Sequence, residues 1–96
     1  MSINEIKKII WAYKPNLCKK YHIKQIGVFG SYVRGEERPH SDIDILVDFS
    51  RPISLFEFID MEAELSTLLD MKVDLVSRKS LKPHIGKHIL QEVELV

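Results

Sequence analysis

Apolar and polar side chains alternate along the chain in a way that predicts three strands set among three helices. Short apolar runs rich in β-branched and aromatic residues predict strands over 23–29, 42–49 and 72–76. Elsewhere, apolar residues recur every three or four positions, which predicts helices at the start of the chain, over 54–69 and after Ser80. The order α-β-β-α-β-α with short connections is typical of an α+β fold in which a small mixed sheet packs on helices.

Polar residues and prolines indicate where the first two long helices begin and end. Ser2 with Glu5, and Ser54 with Glu57, have the spacing of capping boxes, in which the serine and the acid bond each other's backbone amides. Pro15 has no amide hydrogen, so we expect it to end or kink the first helix, with one further helical turn after it.

The last helix is predicted from residue 80 onward. Ser80 is a suitable N-cap residue, and Pro83 is tolerated only in the first turn, where its missing amide hydrogen costs nothing. Three apolar residues of this helix are expected to face the core: Ile85, Ile89 and Leu90.

Composition narrows the class of protein. The 96 residues are 45% hydrophobic and 29% charged, which predicts one folded domain over residues 1–96. Because 14 basic residues balance 14 acidic ones, no overall positive charge is available to hold long nucleic acid. A single cysteine, Cys18, and the lack of any long apolar run predict a cytoplasmic protein with no signal peptide and no membrane span.

The segment after the first predicted strand has the features of a phosphate-binding turn. Gly30 at the strand exit lets an oxygen-rich ligand approach the backbone, Ser31 adds a hydroxyl, and Arg34 adds a planar guanidinium. The following backbone amides can point at an anion. A glycine-bounded turn with a surface arginine is the alternative interpretation, because short glycine motifs are common.

The second predicted strand carries two carboxylates on one face. Asp42 and Asp44 are two residues apart, so they point the same way with Cα atoms about 6.7 Å apart, while Ile43 and Ile45 point the other way. Such a pair can converge on two magnesium ions, which prefer carboxylate and phosphate oxygens. Asp42 alone is also explained as a strand-start residue, but strands disfavour an interior aspartate such as Asp44, which needs compensation.

A third carboxylate, Asp74, lies within the apolar third strand. If the second and third strands are neighbours, their spacing of about 4.8 Å brings Asp74 toward Asp42 and Asp44. Three carboxylates this close repel one another unless a cation lies between them. The alternative is an acid of an edge strand that faces water.

Together, four short motifs resemble the signature of the DNA polymerase beta-like nucleotidyltransferase superfamily, in particular its minimal nucleotidyltransferase (MNT) members, the MntA-like antitoxins. The motifs are Gly30–Ser31, Arg34–Gly35, Ser41–Asp44 and Val73–Leu75, and the resemblance covers residues 23–78. The resemblance implies the palm-like nucleotidyltransferase fold. It also implies a reaction in which an acceptor hydroxyl attacks the α-phosphorus of a nucleoside triphosphate and pyrophosphate leaves.

The resemblance further implies a role for each matching residue. Asp42 and Asp44 would bind two magnesium ions together with the nucleotide, and Asp74 would bind one of them and help to deprotonate the acceptor. The β- and γ-phosphates would be held by the three residues of the glycine turn: Gly30, Ser31 and Arg34.

Minimal members of the superfamily lack the additional helical domain with which larger relatives hold the acceptor. Many are antitoxins paired with HEPN-domain toxins, and some transfer AMP from ATP to a tyrosine of the toxin. The resemblance therefore implies ATP as donor and a HEPN-domain protein as partner and acceptor, and it leaves self-association open. Two other interpretations remain: a nucleotidyltransferase that modifies antibiotics, and a non-catalytic module that neutralises its partner by contact alone.

Two further features are weighed against simpler explanations. His84 and His88 are spaced like zinc ligands on one helix face, but no third ligand is evident, so we expect a solvated helix face. Trp11, if exposed, would indicate a protein interface.

Overall fold

A computed structural model describes residues 1–96 and contains four α-helices and four strands. The three predicted strands are present, each within one residue of its expected bounds. A four-residue helix and a two-residue strand add to the predicted order. In chain order, the elements are α1 (Ile3–Tyr21), β1 (Ile23–Phe29), α2 (Ser31–Arg34), β2 (Ile43–Phe49), α3 (Leu55–Leu69), β3 (Val73–Ser77), α4 (Pro83–Glu92) and β4 (Glu94–Leu95).

The four strands form one mixed sheet in the order β3-β2-β1-β4. β1 runs antiparallel to β2 and to β4, whereas β2 and β3 run parallel. Parallel neighbours need a crossover connection, which α3 provides. As a result, the end of β1 and the starts of β2 and β3 lie at the same end of the sheet.

The core lies between one face of the sheet and the helices α1 and α3. Alternate residues of β2, namely Ile43, Ile45 and Val47, are fully buried on this face. They belong to one cluster with residues from the two helices: Ile6, Ile10, Leu17, Tyr21, Met61, Leu65 and Leu69. The strand residues between them point to the opposite face, where the predicted site lies.

Helix α1 continues beyond Pro15, the residue at which the sequence predicts an end or a kink. The capping box of Ser2 and Glu5 is present, but the helix continues through Pro15 to Tyr21. Of the two predicted effects of Pro15, an end of the helix is wrong: Leu17 and Tyr21 are buried, and their burial offsets one missing backbone hydrogen bond. Neither this 19-residue helix nor any other is long and apolar enough to cross a membrane.

The first turn of α3 departs from the predicted apolar face. The capping box of Ser54 and Glu57 is present, but Leu55 and Ile59 are exposed. Further along, the helix buries Met61 and the residues one and two turns beyond it. The start of α3 therefore leaves apolar side chains in solvent.

Helix α3 also protects an edge of the sheet. The Glu62 carboxylate accepts a 2.8 Å hydrogen bond from the Leu75 amide, and the Ser66 hydroxyl accepts a 3.1 Å hydrogen bond from the Val73 amide. Because β3 is an edge strand, these side chains replace a missing partner strand. This explains why a glutamate interrupts the apolar face of the helix.

Helix α4 begins later than predicted. Pro83 is in the first turn, as expected, but the N-cap residue is Lys82. Ser80 instead ends a 3₁₀ turn over Arg78–Ser80, so its predicted capping role is wrong. Lys82 is extended because the residue before a proline disfavours helical backbone.

Helix α4 does not bury the face that its periodicity predicts. The expectation that Ile85, Ile89 and Leu90 face the core is wrong for Ile85 and Leu90, which are 56% and 43% exposed. The buried residue of this helix is Gly86, where an added Cβ would lie 3.0 Å from the Leu81 Cβ. The helix therefore packs on its own N-terminal connection, and an apolar face remains in solvent.

Candidate active site

The predicted phosphate turn forms where β1 ends. Gly30 has φ 82° and ψ −151°, a backbone conformation that is essentially restricted to glycine. An added Cβ at this position would also overlap Oδ2 of Asp44. Ser31 and Arg34, the other predicted phosphate ligands, are the first and last residues of α2, directly after this glycine. The glycine turn and the Asp44 carboxylate therefore form one site.

The register of the sheet brings two of the predicted carboxylates side by side. Asp44 pairs with Phe29 of β1 on one side and with Asp74 of β3 on the other. Directly paired residues of neighbouring strands point to the same face, so Asp44 and Asp74 share the face opposite the core. Asp42 precedes β2 by one residue and has the same parity. The predicted neighbourhood of the second and third strands is confirmed.

The surroundings of Asp44 favour its neutral form when no cation is bound. The pKa of Asp44 is raised to about 6, first by burial and then by the negative charges of Asp74 and Asp42. The positive charge of Arg34 lowers this pKa in part. A carboxylate with such neighbours gains more from a cation than one in water does.

The donor set suits a divalent cation that also takes ligands from elsewhere. The oxygens of Asp42, Asp44 and Asp74 are the hard ligands that magnesium prefers. No three acidic, histidine or cysteine side chains lie close enough together to enclose an ion by themselves, and Asp42 Oδ2 lies 3.8 Å from Lys72 Nζ. Magnesium commonly keeps waters and substrate phosphate oxygens as ligands, so a nucleotide and water would complete the coordination.

Sequence reasoning missed one carboxylate of this site, Glu92 at the end of α4. Its Oε2 accepts a 2.8 Å hydrogen bond from the Gly30 amide, and its Oε1 accepts a 2.6 Å hydrogen bond from Arg34 Nη1. Burial acts to raise the pKa of Glu92, but the hydrogen bonds from Arg34 and Gly30 outweigh it, so the pKa is lowered. These contacts span 62 and 58 positions, so no local motif could have indicated them.

The residues that the sequence analysis considers as zinc ligands or as part of a protein interface lie outside this site. The rings of His84 and His88 pack edge to face with centroids 5.2 Å apart and have no third metal ligand. Trp11 is 66% exposed on α1, which is the condition under which the sequence predicts a protein interface.

A strand-end glycine turn, paired aspartates on the next strand and a third aspartate on its parallel neighbour define a nucleotidyltransferase. The chain belongs to the nucleotidyltransferase domain family, whose model matches residues 12–96. It is 48% identical over 96 residues to the protein adenylyltransferase MntA of Thermococcus cleftensis, with 100% of this chain and 97% of that protein covered. The predicted superfamily and enzyme class are confirmed.

Solved structures share the fold. A candidate minimal nucleotidyltransferase matches with a TM-score of 0.83 and 32% identity, covering 98% of this chain and 95% of that one. A toxin-antitoxin crystal structure with AMP-PNP contains a chain that matches with a TM-score of 0.72 and 26% identity, covering 96% of this chain and 69% of that one. The predicted α+β nucleotidyltransferase fold is confirmed.

Proposed function

We propose that this protein is a magnesium-dependent protein adenylyltransferase of the cytoplasm. In this proposal it moves AMP from ATP to a tyrosine hydroxyl of a HEPN-domain toxin and so acts as the antitoxin. The observation that carries the proposal is the pairing of Asp44 with Asp74 beside the Gly30 turn. The name of the Thermococcus cleftensis relative and the toxin-antitoxin structure with AMP-PNP support the choice of donor and partner.

In the proposed reaction, the tyrosine oxygen forms a bond to the α-phosphorus of ATP, and the bond from that phosphorus to the pyrophosphate oxygen breaks. The phenolic proton must leave at the same time. Asp74 is an exposed carboxylate next to Asp44, which supports its assignment as the group that accepts this proton. Magnesium held by Asp42, Asp44 and Asp74 would supply positive charge to the reacting phosphate oxygens.

The departing pyrophosphate is assigned to the turn after β1. Arg34 uses Nε toward Glu36 and Nη1 toward Glu92, which leaves Nη2 for a phosphate oxygen. Ser31 supplies a hydroxyl and an amide at the same turn. Gly30 contributes by leaving room, since any side chain there would displace Asp44. These groups would neutralise the charge that develops on the leaving group.

The surface supports a protein acceptor over a small molecule. Asp74 is exposed and the Asp42 side chain is 42% exposed, so a bulky acceptor can reach these carboxylates from solvent. Large apolar side chains are exposed elsewhere, among them Trp11 and Phe56, which is 79% exposed. Exposed aromatic residues are typical of protein interfaces.

Incubation with α-labelled ATP, magnesium and the co-expressed HEPN-domain protein tests the proposal. We expect the label on a tyrosine of the partner and an increase in its intact mass by whole AMP units. The double variant Asp42→Asn/Asp44→Asn should transfer nothing. Asp60→Asn, which changes an exposed aspartate of α3, is the matched control and should transfer normally.

Two results would favour the other interpretations. Transfer to an aminoglycoside or lincosamide in the absence of the partner would indicate an antibiotic-modifying enzyme. Full neutralisation of the toxin by the double variant, with no transfer, would indicate a module that acts by contact alone.

A further inference from the structure

We propose that Glu92 is a positioning residue for nucleotidyl transfer: it fixes the Arg34 guanidinium and the Gly30 turn in the arrangement that receives the β- and γ-phosphates. The inference rests on the proposed function, because it assigns Arg34 to the pyrophosphate. It adds a residue that lies outside every motif by which the family is identified in this sequence.

Glu92 uses its two oxygens on two different parts of the turn. Oε1 accepts from Arg34 Nη1 at 2.6 Å, and Oε2 accepts from the Gly30 amide at 2.8 Å. Hydrogen bonds between ionised partners are among the strong ones, and the Glu92 side chain is only 21% exposed. One carboxylate thus links the backbone just before α2 to the side chain of the last residue of α2.

The backbone that carries Glu92 is itself anchored to the sheet. The amide of Val93 donates to the Ile89 carbonyl, and β4, which begins two residues after Glu92, pairs with Gly27 and Val28 of β1. An added Cβ at Gly27 would lie 2.9 Å from the Glu94 carbonyl oxygen, so glycine at this position permits the close approach of the two strands. The backbone that carries Glu92 is therefore held in place relative to the Gly30 turn.

A fixed Arg34 binds phosphate at a lower entropic cost than a free one. An arginine side chain has many rotamers, and ordering it on binding reduces affinity. Here Nε is held by Glu36 at 3.2 Å and Nη1 by Glu92, while the unused Nη2 stays available for the ligand. The guanidinium is ordered before the nucleotide arrives.

The anchoring also argues against Glu92 as a competitor that the phosphates displace. A displaced carboxylate would have to leave both Arg34 and the Gly30 amide, and that amide is buried at the strand end. Displacement would break both hydrogen bonds at once, and the one to Arg34 joins two charged groups. In our proposal Glu92 stays in place and the nucleotide binds to the remaining groups of the turn.

Binding of two nucleotides separates a positioning role from a general structural one. The probes are α,β-methylene-ATP, which cannot release pyrophosphate, and AMP, which lacks the two outer phosphates. Both are titrated with magnesium by calorimetry into the full chain and into Glu92→Gln and Glu92→Ala. Glu94→Gln is the matched control, since Glu94 pairs with Lys7 at 2.8 Å and not with the turn.

We expect Glu92→Ala to weaken α,β-methylene-ATP binding about tenfold and to change AMP binding less than about twofold. Glu92→Gln keeps an acceptor for one donor but loses the charge, so its loss should be smaller, about threefold. Glu94→Gln should bind both probes as the wild type does. In the Arg34→Ala background, Glu92→Ala should have a smaller effect than in the wild type, because the guanidinium is already gone and only the bond to the Gly30 amide remains to be lost.

Several results would overturn the inference. Unchanged ATP-analogue binding by Glu92→Ala and Glu92→Gln would show that Glu92 does not position the turn, and tighter binding would show that it competes with phosphate. Equal losses for AMP and the analogue in both variants, with a lower melting temperature, would indicate a structural role only.

Failure of the inference and failure of the proposed function look different in this experiment. If the wild type binds the analogue and Asp44→Asn abolishes transfer, but the Glu92 variants behave as the wild type, only the inference is wrong. If the wild type itself does not bind the analogue with magnesium, the proposed function is wrong and the inference falls with it.

Discussion

The two faces of the sheet are built from the same strands and are governed by different physics. On the helix-covered face, Ile43 and Ile45 are fully buried in an apolar cluster. On the opposite face, the intervening Asp44 lies beside Asp74 and has its pKa raised by burial and by like charges. Burial stabilises the first face, whereas the neighbouring carboxylates of Asp44 and Asp74 on the second face cost stability until a cation neutralises them.

Because side chains alternate between the two faces of a strand, β2 can contribute to the core and to the charged site at the same time. A change at Ile45 acts on folding, and a change at Asp44 acts on chemistry, although the residues are adjacent in sequence. The C-terminal segment then covers part of the second face, where Phe29 and Leu46 are buried outside the main cluster. The charged site is therefore restricted to the end of the sheet at which β1 ends and β2 and β3 begin.

The largest expected effect is on activity, from Asp44→Asn. We expect AMP transfer to the partner to fall by at least about 10³-fold, because the site loses the carboxylate at its centre. The folded structure should be retained, since Asn has the same shape and removes a repelled charge. Initial rates and urea unfolding at pH 7 measure the two quantities, and a variant that transfers AMP at more than a tenth of the normal rate would contradict the assignment.

The adjacent change on the other face, Ile45→Ala, is expected to act on stability instead. Truncation of a fully buried isoleucine removes about 3 kcal/mol from the free energy of unfolding. At a temperature at which the variant stays folded, kcat/KM should remain within about threefold of the wild type. Urea unfolding and transfer assays on the same sample test this. A large loss of kcat in a fully folded Ile45→Ala protein would break the separation of the two faces.

Much of the fold and the centre of the site could be predicted because their signals are local. Alternation places Asp42 and Asp44 on one face of a strand, and the apolar run around Asp74 predicts the neighbouring strand. The pairing of Asp44 with Asp74 then follows from a parallel register of these two strands. Capping boxes likewise act over three residues, so the starts of α1 and α3 were predicted correctly.

The features that could not be predicted depend on contacts between distant segments. Glu92 reaches Gly30 and Arg34 across about 60 positions, which no periodicity encodes. The apolar face of α4 predicts a buried helix, but periodicity does not reveal that α1 and α3 already cover the core. Pro15 favours a helix end locally, and only the burial of Leu17 and Tyr21 explains why the helix continues.

In the absence of metal, a change of pH is expected to have a smaller effect on the free energy of unfolding, through the titration of Asp44. Because the pKa of Asp44 in the folded protein, about 6, exceeds its ordinary value of 3.8, the folded state binds the proton more tightly than the unfolded state. This contribution to stability is fully present below about pH 4 and is lost as the pH rises through 6. Since water screens the half-buried group, we expect about 1–2 kcal/mol.

The difference between the wild type and Asp44→Asn isolates this titration from that of other groups. In EDTA, the free energy of unfolding of the variant relative to the wild type should rise between pH 4 and pH 7. Added magnesium should raise the melting temperature of the wild type at pH 7.5 more than at pH 5, because protonated Asp44 is a poor ligand. A constant difference between the two proteins across this pH range would contradict the raised pKa of Asp44 that its burial and the neighbouring carboxylates cause.

The smallest expected effect comes from the ion pair at the rim of the charged face. Lys72 Nζ lies 3.8 Å from Asp42 Oδ2, and the Lys72 side chain is almost entirely in solvent. An exposed pair of this length contributes little, so Lys72→Met should change the free energy of unfolding by less than about 0.5 kcal/mol. Removal of a positive charge next to Asp42 should nevertheless favour a cation, and we expect the magnesium concentration for half-maximal transfer to fall about twofold. Lys79→Met, which removes an exposed lysine outside the site, is the control. A loss of stability as large as that of Ile45→Ala would mean that charges on this face hold the fold together, contrary to the distinction drawn between the two faces.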